Sequence, residues 1–264
     1  MPETKQYQSK QGDSNGVVAY SAEENQTWQL LYDRQITMLP GRVSEVYRRG
    51  LQRMNFPQQR IPQLAEVSAV LQKTTGWSVT PVPALIDFRR FFELLAQRQF
   101  PAATFIRRRE DLDYLEEPDV FHELFGHTPL LTDQRFADFC QAYGQAGLQL
   151  QPADFHRLAR LFWFTVEFGL HRSKEGIQAY GAGIVSSPGE LVYALESNEP
   201  EYRPFTVPDV LRTPYRIDVY QSIYYVLDDW QQLFDLTTGD LQALCTQAKK
   251  LGDFAPACPE KLVA

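Results

Sequence analysis

Pro118-Asp119-Val120-Phe121-His122-Glu123-Leu124-Phe125-Gly126-His127 places two imidazoles five positions apart, and a lone carboxylate, Glu167, follows inside a later aromatic run. Two histidines and a carboxylate are a metal-ligand set. A continuous α-helix advances roughly 100° per residue, so positions five apart lie about 140° apart around the axis and cannot converge on one ion. The familiar zinc-hydrolase motif avoids this by spacing its histidines four apart on one helical face. Here the register is one residue longer. Gly126 sits where a permissive backbone lets the helix end tighten or unwind, and Pro129 opposes helical continuation through its own position. The stretch therefore reads as a helix that stops at its second ligand. Without a metal, the pair would be two helix-end histidines with satisfied hydrogen bonds.

Glu167 lies in Leu161-Phe162-Trp163-Phe164-Thr165-Val166-Glu167-Phe168-Gly169-Leu170, whose apolar content calls for near-complete burial. A carboxylate there needs a buried Arg or Lys, a proton, or a cation. An ion held by His122 and His127 supplies the charge; on the bland reading Glu167 sits on a polar helical stripe and meets solvent or an arginine. Three N/O ligands on one face of an octahedron leave positions open for oxygen and a co-substrate, as in non-haem Fe(II) oxygenases. Zinc also accepts two His and one Glu, with water in the remaining place. Zinc hydrolases of that type need the shorter register and use the Glu after the first His as base. Iron is favoured.

Several long motifs in one order now resemble the pterin-dependent aromatic amino acid hydroxylases. Glu117-Pro118-Asp119, His122-Glu123-Leu124, Gly126-His127 and Pro129 match the family's first ligand segment, and Trp163 through Leu170 match the second. Tyr180-Gly181-Ala182-Gly183, Ser186-Ser187 and Gly189-Glu190-Leu191 match a third; Ile61-Pro62-Gln63-Leu64 and Tyr224-Tyr225-Val226 extend the similarity. The resemblance implies a mainly α fold with a minor β component, a single catalytic domain forming a helical basket around a non-haem iron site. It implies Fe(II) as metal and a tetrahydropterin co-substrate that supplies two electrons, one oxygen atom of O2 going to the pterin and the other to the ring.

Position by position, the resemblance implies His122, His127 and Glu167 as iron ligands, Phe91 as the pterin-stacking ring and Glu123 as the acid facing the pterin. Pro118, Trp163, Phe168 and Ser186 fall where the family lines the aromatic substrate or supports a ligand. Arg107 matches the arginine that pairs with the amino acid carboxylate, a bidentate role that a planar guanidinium suits. Read without the family, Phe91 and Trp163 are core aromatics, Ser186 is a turn residue, Glu123 is a helix-surface charge and Arg107 belongs to a solvated run. Leu115 and Phe162 depart from the hydroxyl-bearing residues of the animal enzymes. Trp163 is similar to the phenylalanine and tyrosine enzymes, the tryptophan enzymes carrying Phe there. Ile217 is apolar where the tyrosine enzymes have Asp, so it has no acceptor for a phenolic hydroxyl. L-Phenylalanine is thus the implied substrate and L-tyrosine the product. A tryptophan or tyrosine hydroxylase of the same family is the alternative within it, and a zinc-dependent hydrolase the alternative outside it.

Composition agrees with a single catalytic domain: 264 residues, 44% of them hydrophobic, can bury one substantial core. A net charge of -7 argues against a nucleic-acid partner, which calls for a basic face. Arg107-Arg108-Arg109 is followed by Glu110, Asp111 and Asp113, and Arg108 and Arg109 read as solvated. Cys140, Cys245 and Cys258 are too few and scattered for a disulfide framework or a zinc ribbon, and fit a reducing compartment. No stretch resembles a signal peptide, and none approaches the roughly eighteen apolar residues of a membrane span. The expectation is a cytoplasmic monomer without membrane partners, the chain having no room for the amino-terminal regulatory domain of the animal members.

Residues 1–20 are polar and read as a flexible lead-in to a catalytic domain at 21–264. Ser21 and Glu24 form a candidate capping box before a helix carrying Trp28, Leu31 and Tyr32. Further helices are predicted over 43–54, from near Pro62 to Gly76, 88–97, 133–143, 154–168 and 241–250, with a short one starting at Pro188. Residues 77–83 read as extended. Gly181 and Gly183 predict a break, 200–214 a connector with little regular structure, and 217–226 a strand or buried coil.

Overall fold

The computed structural model describes residues 7–83, 86–113, 115 and 117–257. The capping box forms: Ser21 Oγ accepts from the Glu24 N–H at 3.2 Å and the Glu24 carboxylate from the Ser21 N–H at 2.6 Å, starting α1 (Ala22–Met38). Ser44 caps α2 (Glu45–Met54), and α3 (Leu64–Thr75) ends at Gly76, whose φ of 76° a side chain would strain. Next comes a parallel pair, β1 (Ser78–Val82) and β2 (Gln99–Ala103), linked by α4 (Phe88–Ala96), which Asp87 caps. Helices α5 (Thr128–Leu131), α6 (Gln134–Gln149) and α7 (Phe155–Phe162) fill the middle of the chain. β3 (Leu170–Ser173), β4 (Gly176–Ala179), α8 (Ala182–Val185), α9 (Pro188–Glu196), β5 (Glu201–Pro204), α10 (Val207–Arg212), β6 (Ile223–Leu227), α11 (Gln231–Phe234) and α12 (Leu241–Leu251) complete it. Four strands form a mixed sheet in the order β4-β3-β6-β5, with β3 and β4 antiparallel and the other pairs parallel. The fold is mainly α with a minor β component.

The 200–214 stretch is no bare connector: its prolines are placed where neither strand nor helix is broken. Pro204 ends β5, and Pro208 sits in the first turn of α10, where a missing N–H has no intrahelical partner to lose. Gly183 lies inside α8 rather than breaking the chain, and serves close packing: a side chain there would come within 2.7 Å of the Phe168 ring. Helix α6 runs on past residue 143 to Gln149. β2 went unread because its short QFPAA run lacks the β-branched pattern and is defined by pairing with β1.

The polar lead-in is also not loose over residues 7–20. Tyr7 stacks on Phe105 with ring centres 5.0 Å apart, and Ser9 Oγ accepts from Thr104 N–H at 3.0 Å. Lys10 O accepts from the Thr104 hydroxyl at 2.6 Å, and Val18 uses both its backbone groups on the Gln63 amide at 2.8 and 3.1 Å. Hydrogen bonds to the domain, the Tyr7 stack and the buried side chain of Val18 together order this largely polar segment. Cys140 and Cys245 are buried free thiols; Cys258 lies outside the described residues. Among the described residues no helix is long and apolar enough to cross a membrane.

An aromatic cluster holds the first ligand segment in place. Phe121 and Phe125 stack at 4.8 Å, Trp28 meets Phe121 edge-on at 5.3 Å, and the buried Tyr47 hydroxyl donates to Phe125 O at 2.7 Å. Each ring packs against neighbours from a different helix, so the segment's position is set by the core.

Candidate metal centre

His122–His127 does not stop or tighten at its second histidine; it winds as a π-helical turn and runs straight on into α5. Widening the repeat to i→i+5 hydrogen bonds brings residues five apart to within roughly 50° of one another around the axis. The spacing that an α-helix cannot use is the one a π-turn requires. Pro129 is accommodated in the first turn of α5 instead of terminating the helix. Gly126 matters for packing: a Cβ there would lie 3.1 Å from both Cβ and O of Ala182, so the turn seats directly on α8. A second π-turn, Trp163–Glu167, follows α7, and the Phe168 N–H closes it on Trp163 O at 2.8 Å.

The two turns bring three ligand atoms together. His122 Nε2 and His127 Nε2 are 3.1 Å apart, Glu167 Oε1 is 3.2 Å from His127 Nε2, and Glu167 Oε2 is 3.5 Å from His122 Nε2. Ser186 settles the tautomer of the first imidazole. Its hydroxyl donates to Ala182 O at 2.7 Å, so its oxygen accepts from His122 Nδ1–H at 3.0 Å. Nε2 of His122 therefore presents a lone pair toward the other two atoms. Burial holds this imidazole down at about 4, so it is neutral at physiological pH. Burial alone would push Glu167 up, but the adjacent His127 and His122 rings outweigh it and keep the carboxyl below its ordinary range. The inward lone pair of His122, the Nε2 atom of His127 and one carboxylate converge, a donor set that fits a single cation.

A second carboxyl competes for the place of third ligand. His122, Glu123 and His127 offer ligand atoms that all lie within 4.8 Å of one another. Glu167 fits better, because its oxygens reach both Nε2 atoms at 3.2 and 3.5 Å and it favours the charged form. Burial, then the charge of Glu167, pushes Glu123 well above the usual carboxylate range. It stands beside the cluster, buried rather than on a helix surface.

The remaining sequence candidates divide by position. Phe91 meets Phe162 edge-on at 5.1 Å, and Phe162 lies 6.1 Å from the His127 ring, which places Phe91 at the rim of the site. Trp163 stacks on Tyr215 at 4.2 Å and touches Phe168 at 4.5 Å, forming an aromatic wall on the same turn as Glu167. Arg107 is buried, unlike the exposed Arg108 and Arg109, and grips Asp119 in a two-pronged pair at 2.8 and 3.0 Å. Asp119 Oδ1 also accepts from the His122 backbone N–H at 3.0 Å, tying the guanidinium to the first ligand. Pro118, half-buried, leads into Asp119. Ile217 is the outlier, 55% exposed on the segment between Tyr215 and Gln221. Nothing in the local sequence marks a role for Tyr215 or Gln221 at the site, and only its position within the first motif points to Asp119.

Comparison with known proteins agrees with this geometry. The pattern of the biopterin-dependent aromatic amino acid hydroxylases matches residues 3–247. This chain belongs to that family. It is 50% identical over 261 residues to the phenylalanine-4-hydroxylase of Pseudomonas aeruginosa, covering 99% of each chain. Among solved structures, the apo cold-active phenylalanine hydroxylase of Colwellia psychrerythraea superposes with a TM-score of 0.92 at 48% identity, covering 95% of this chain and 97% of that one. The Chromobacterium violaceum phenylalanine hydroxylase with bound oxidized Fe(III) gives a TM-score of 0.86 at 42% identity, over 93% of this chain and 90% of that one. The cofactors of this biopterin-dependent hydroxylase are Fe(II) and a reduced pterin.

Proposed function

We propose that this chain is a phenylalanine 4-monooxygenase, converting L-phenylalanine and O2 to L-tyrosine with Fe(II) and a tetrahydropterin. The observation that carries the reading is the convergence of His122, His127 and Glu167 on one point in a biopterin-dependent hydroxylase. The chain's strong identity to a phenylalanine-4-hydroxylase supports the choice of substrate. When bound, iron and pterin together supply the oxygen activation and the electrons that the substrate ring does not release.

The protein's share is binding and orientation. His122 and His127 offer ring nitrogens, and Glu167 supplies the negative charge that favours a divalent cation. Ser186 keeps the His122 ring turned with Nε2 inward. Arg107, held flat by Asp119, presents its remaining N–H groups to the amino acid carboxylate. Trp163 and Phe168 give the substrate ring an apolar wall, and Pro118 borders it. Phe91 stacks the pterin, with Glu123 facing the same cofactor. Ile217 offers the ring an edge without an acceptor for a phenolic hydroxyl. The enzyme works as a monomer in the cytoplasm; light scattering of the purified protein tests the first, and fractionation of cells the second.

Purified protein should form tyrosine from phenylalanine only when Fe(II), O2 and a reduced pterin are all present. Glu167→Ala, His122→Ala and His127→Ala should each lose bound iron and turnover together. Full activity of an iron-free preparation, or undiminished turnover in Glu167→Ala, would refute the reading.

A further inference from the structure

Gln221 joins the candidate substrate wall to a buried carboxyl outside the metal centre. Its Oε1 accepts from the Trp163 indole N–H at 2.9 Å, while its Nε2 donates to the carbonyls of Arg216 at 2.9 Å and Val219 at 3.2 Å. Its backbone N–H donates to Glu190 Oε1 at 3.2 Å, and the Tyr224 hydroxyl donates to the same oxygen. Gln221 and Glu190 are both buried. An amide whose oxygen faces a donor and whose nitrogen faces carbonyls has one acceptable orientation, since the flipped form would set like against like. The indole it holds is the ring stacked between Tyr215 and Phe168 contacts, and the turn it closes carries Ile217.

Glu190 anchors this arrangement from the helix that starts beside the metal centre. Ser187 caps α9 by accepting from the Glu190 N–H at 3.3 Å, and the preceding residue, Ser186, accepts from His122. The short stretch from Ser186 to Glu190 thus braces a metal-ligand imidazole at one end and the aromatic wall at the other. A shift of the 216–221 turn is felt by Trp163 through a direct bond, without passing through the ligands.

We propose that Gln221, anchored by Glu190, is a positioning residue that sets the plane of Trp163 and the seat of the 216–221 turn, and so the fit of the substrate ring. This rests on the hydroxylase reading above and deepens it.

The test is steady-state kinetics on Gln221→Met, Trp163→Phe and the double variant, each loaded with Fe(II). Gln221→Met keeps the length of the side chain and removes its hydrogen bonds. Of the three neutral bonds lost, the one to the Trp163 indole bears on the substrate ring, and its loss predicts a rise of about 3- to 10-fold in KM for phenylalanine. The pterin KM, kcat and iron content should stay within about 2-fold, with fewer tyrosines formed per pterin oxidised. In the Trp163→Phe background, which has no indole N–H, Gln221→Met should add less than about 2-fold. Tyr224→Phe, which removes the other donor to Glu190, serves as the second variant if Gln221→Met does not fold, and should raise the phenylalanine KM in the same direction. An unchanged phenylalanine KM, an equal rise for pterin and phenylalanine, or full additivity in the double variant would overturn the role. Absence of tyrosine formation by the unaltered chain would overturn the hydroxylase reading and this role with it. Normal turnover there with unchanged variants would overturn the positioning role alone.

Discussion

Ser186 gives its proton to the Ala182 carbonyl and its oxygen to His122 Nδ1–H, and these two bonds decide which nitrogen of His122 can face a cation. Ser186→Ala leaves a buried N–H without an acceptor and releases the ring to reorient. Fe(II) affinity should then fall by about 10- to 100-fold, the usual consequence of losing the partner behind a metal-ligand histidine. Anaerobic Fe(II) titration measures this directly, and an unaltered affinity would mean that packing alone orients the ring. His122, His127 and Glu167 were legible in the chain because their spacing and apolar surroundings are local properties. The pairing of Arg107 with Asp119 was not. A run of three arginines followed by acids looks solvated along its whole length, and only burial separates Arg107 from its neighbours.

Both ligand segments are π-turns, and each is pressed into place by a neighbouring element that comes close. Gly50 shows how little room there is: a Cβ on it would lie 2.0 Å from Pro129 O, so α2 rests directly on the first turn of α5, just after His127. Gly50→Ala forces backbone against backbone. Overpacking of this kind should destabilise the fold by about 1–3 kcal/mol, seen as a lower urea midpoint at unchanged slope. A midpoint equal to that of the parent chain would show that α2 is free to shift. Helices with their own caps, such as α1 behind Ser21 and α3 before Gly76, could be read from the chain because cap and helix are contiguous. β2 and β5 could not, because a short strand is defined by the partner it meets, here β1 and β6.

Across the whole molecule, the charge left inside makes stability depend on pH. Burial pushes Glu190 up to about 7, against the pull of the Tyr224 and Gln221 hydrogen bonds. The unfolded chain releases this proton near 4.5, so between about 4.5 and 7 the folded state holds a proton that the unfolded state has lost. The stabilising contribution is complete below that window and disappears as pH rises through about 7. Glu190→Gln, which keeps an acceptor and carries no charge, should therefore gain stability relative to the parent as pH is raised across the window. Urea unfolding of both proteins at a series of pH values checks it, and a pH-independent difference would show that Glu190 ionises as an ordinary carboxyl. The sequence by itself determined the ligand residue types, their register, the capped helices and the single hydrophobic core, since each is written in neighbouring residues. Only the tertiary structure decided that the five-residue register winds as a π-turn and that the Glu167 oxygens come within 3.2 and 3.5 Å of the two imidazoles while Glu123 stands beside them. It also placed Ser186 and Gln221 behind the site. Those outcomes depend on segments far apart in the chain meeting in a dry interior, where burial and unpaired hydrogen bonds cost most.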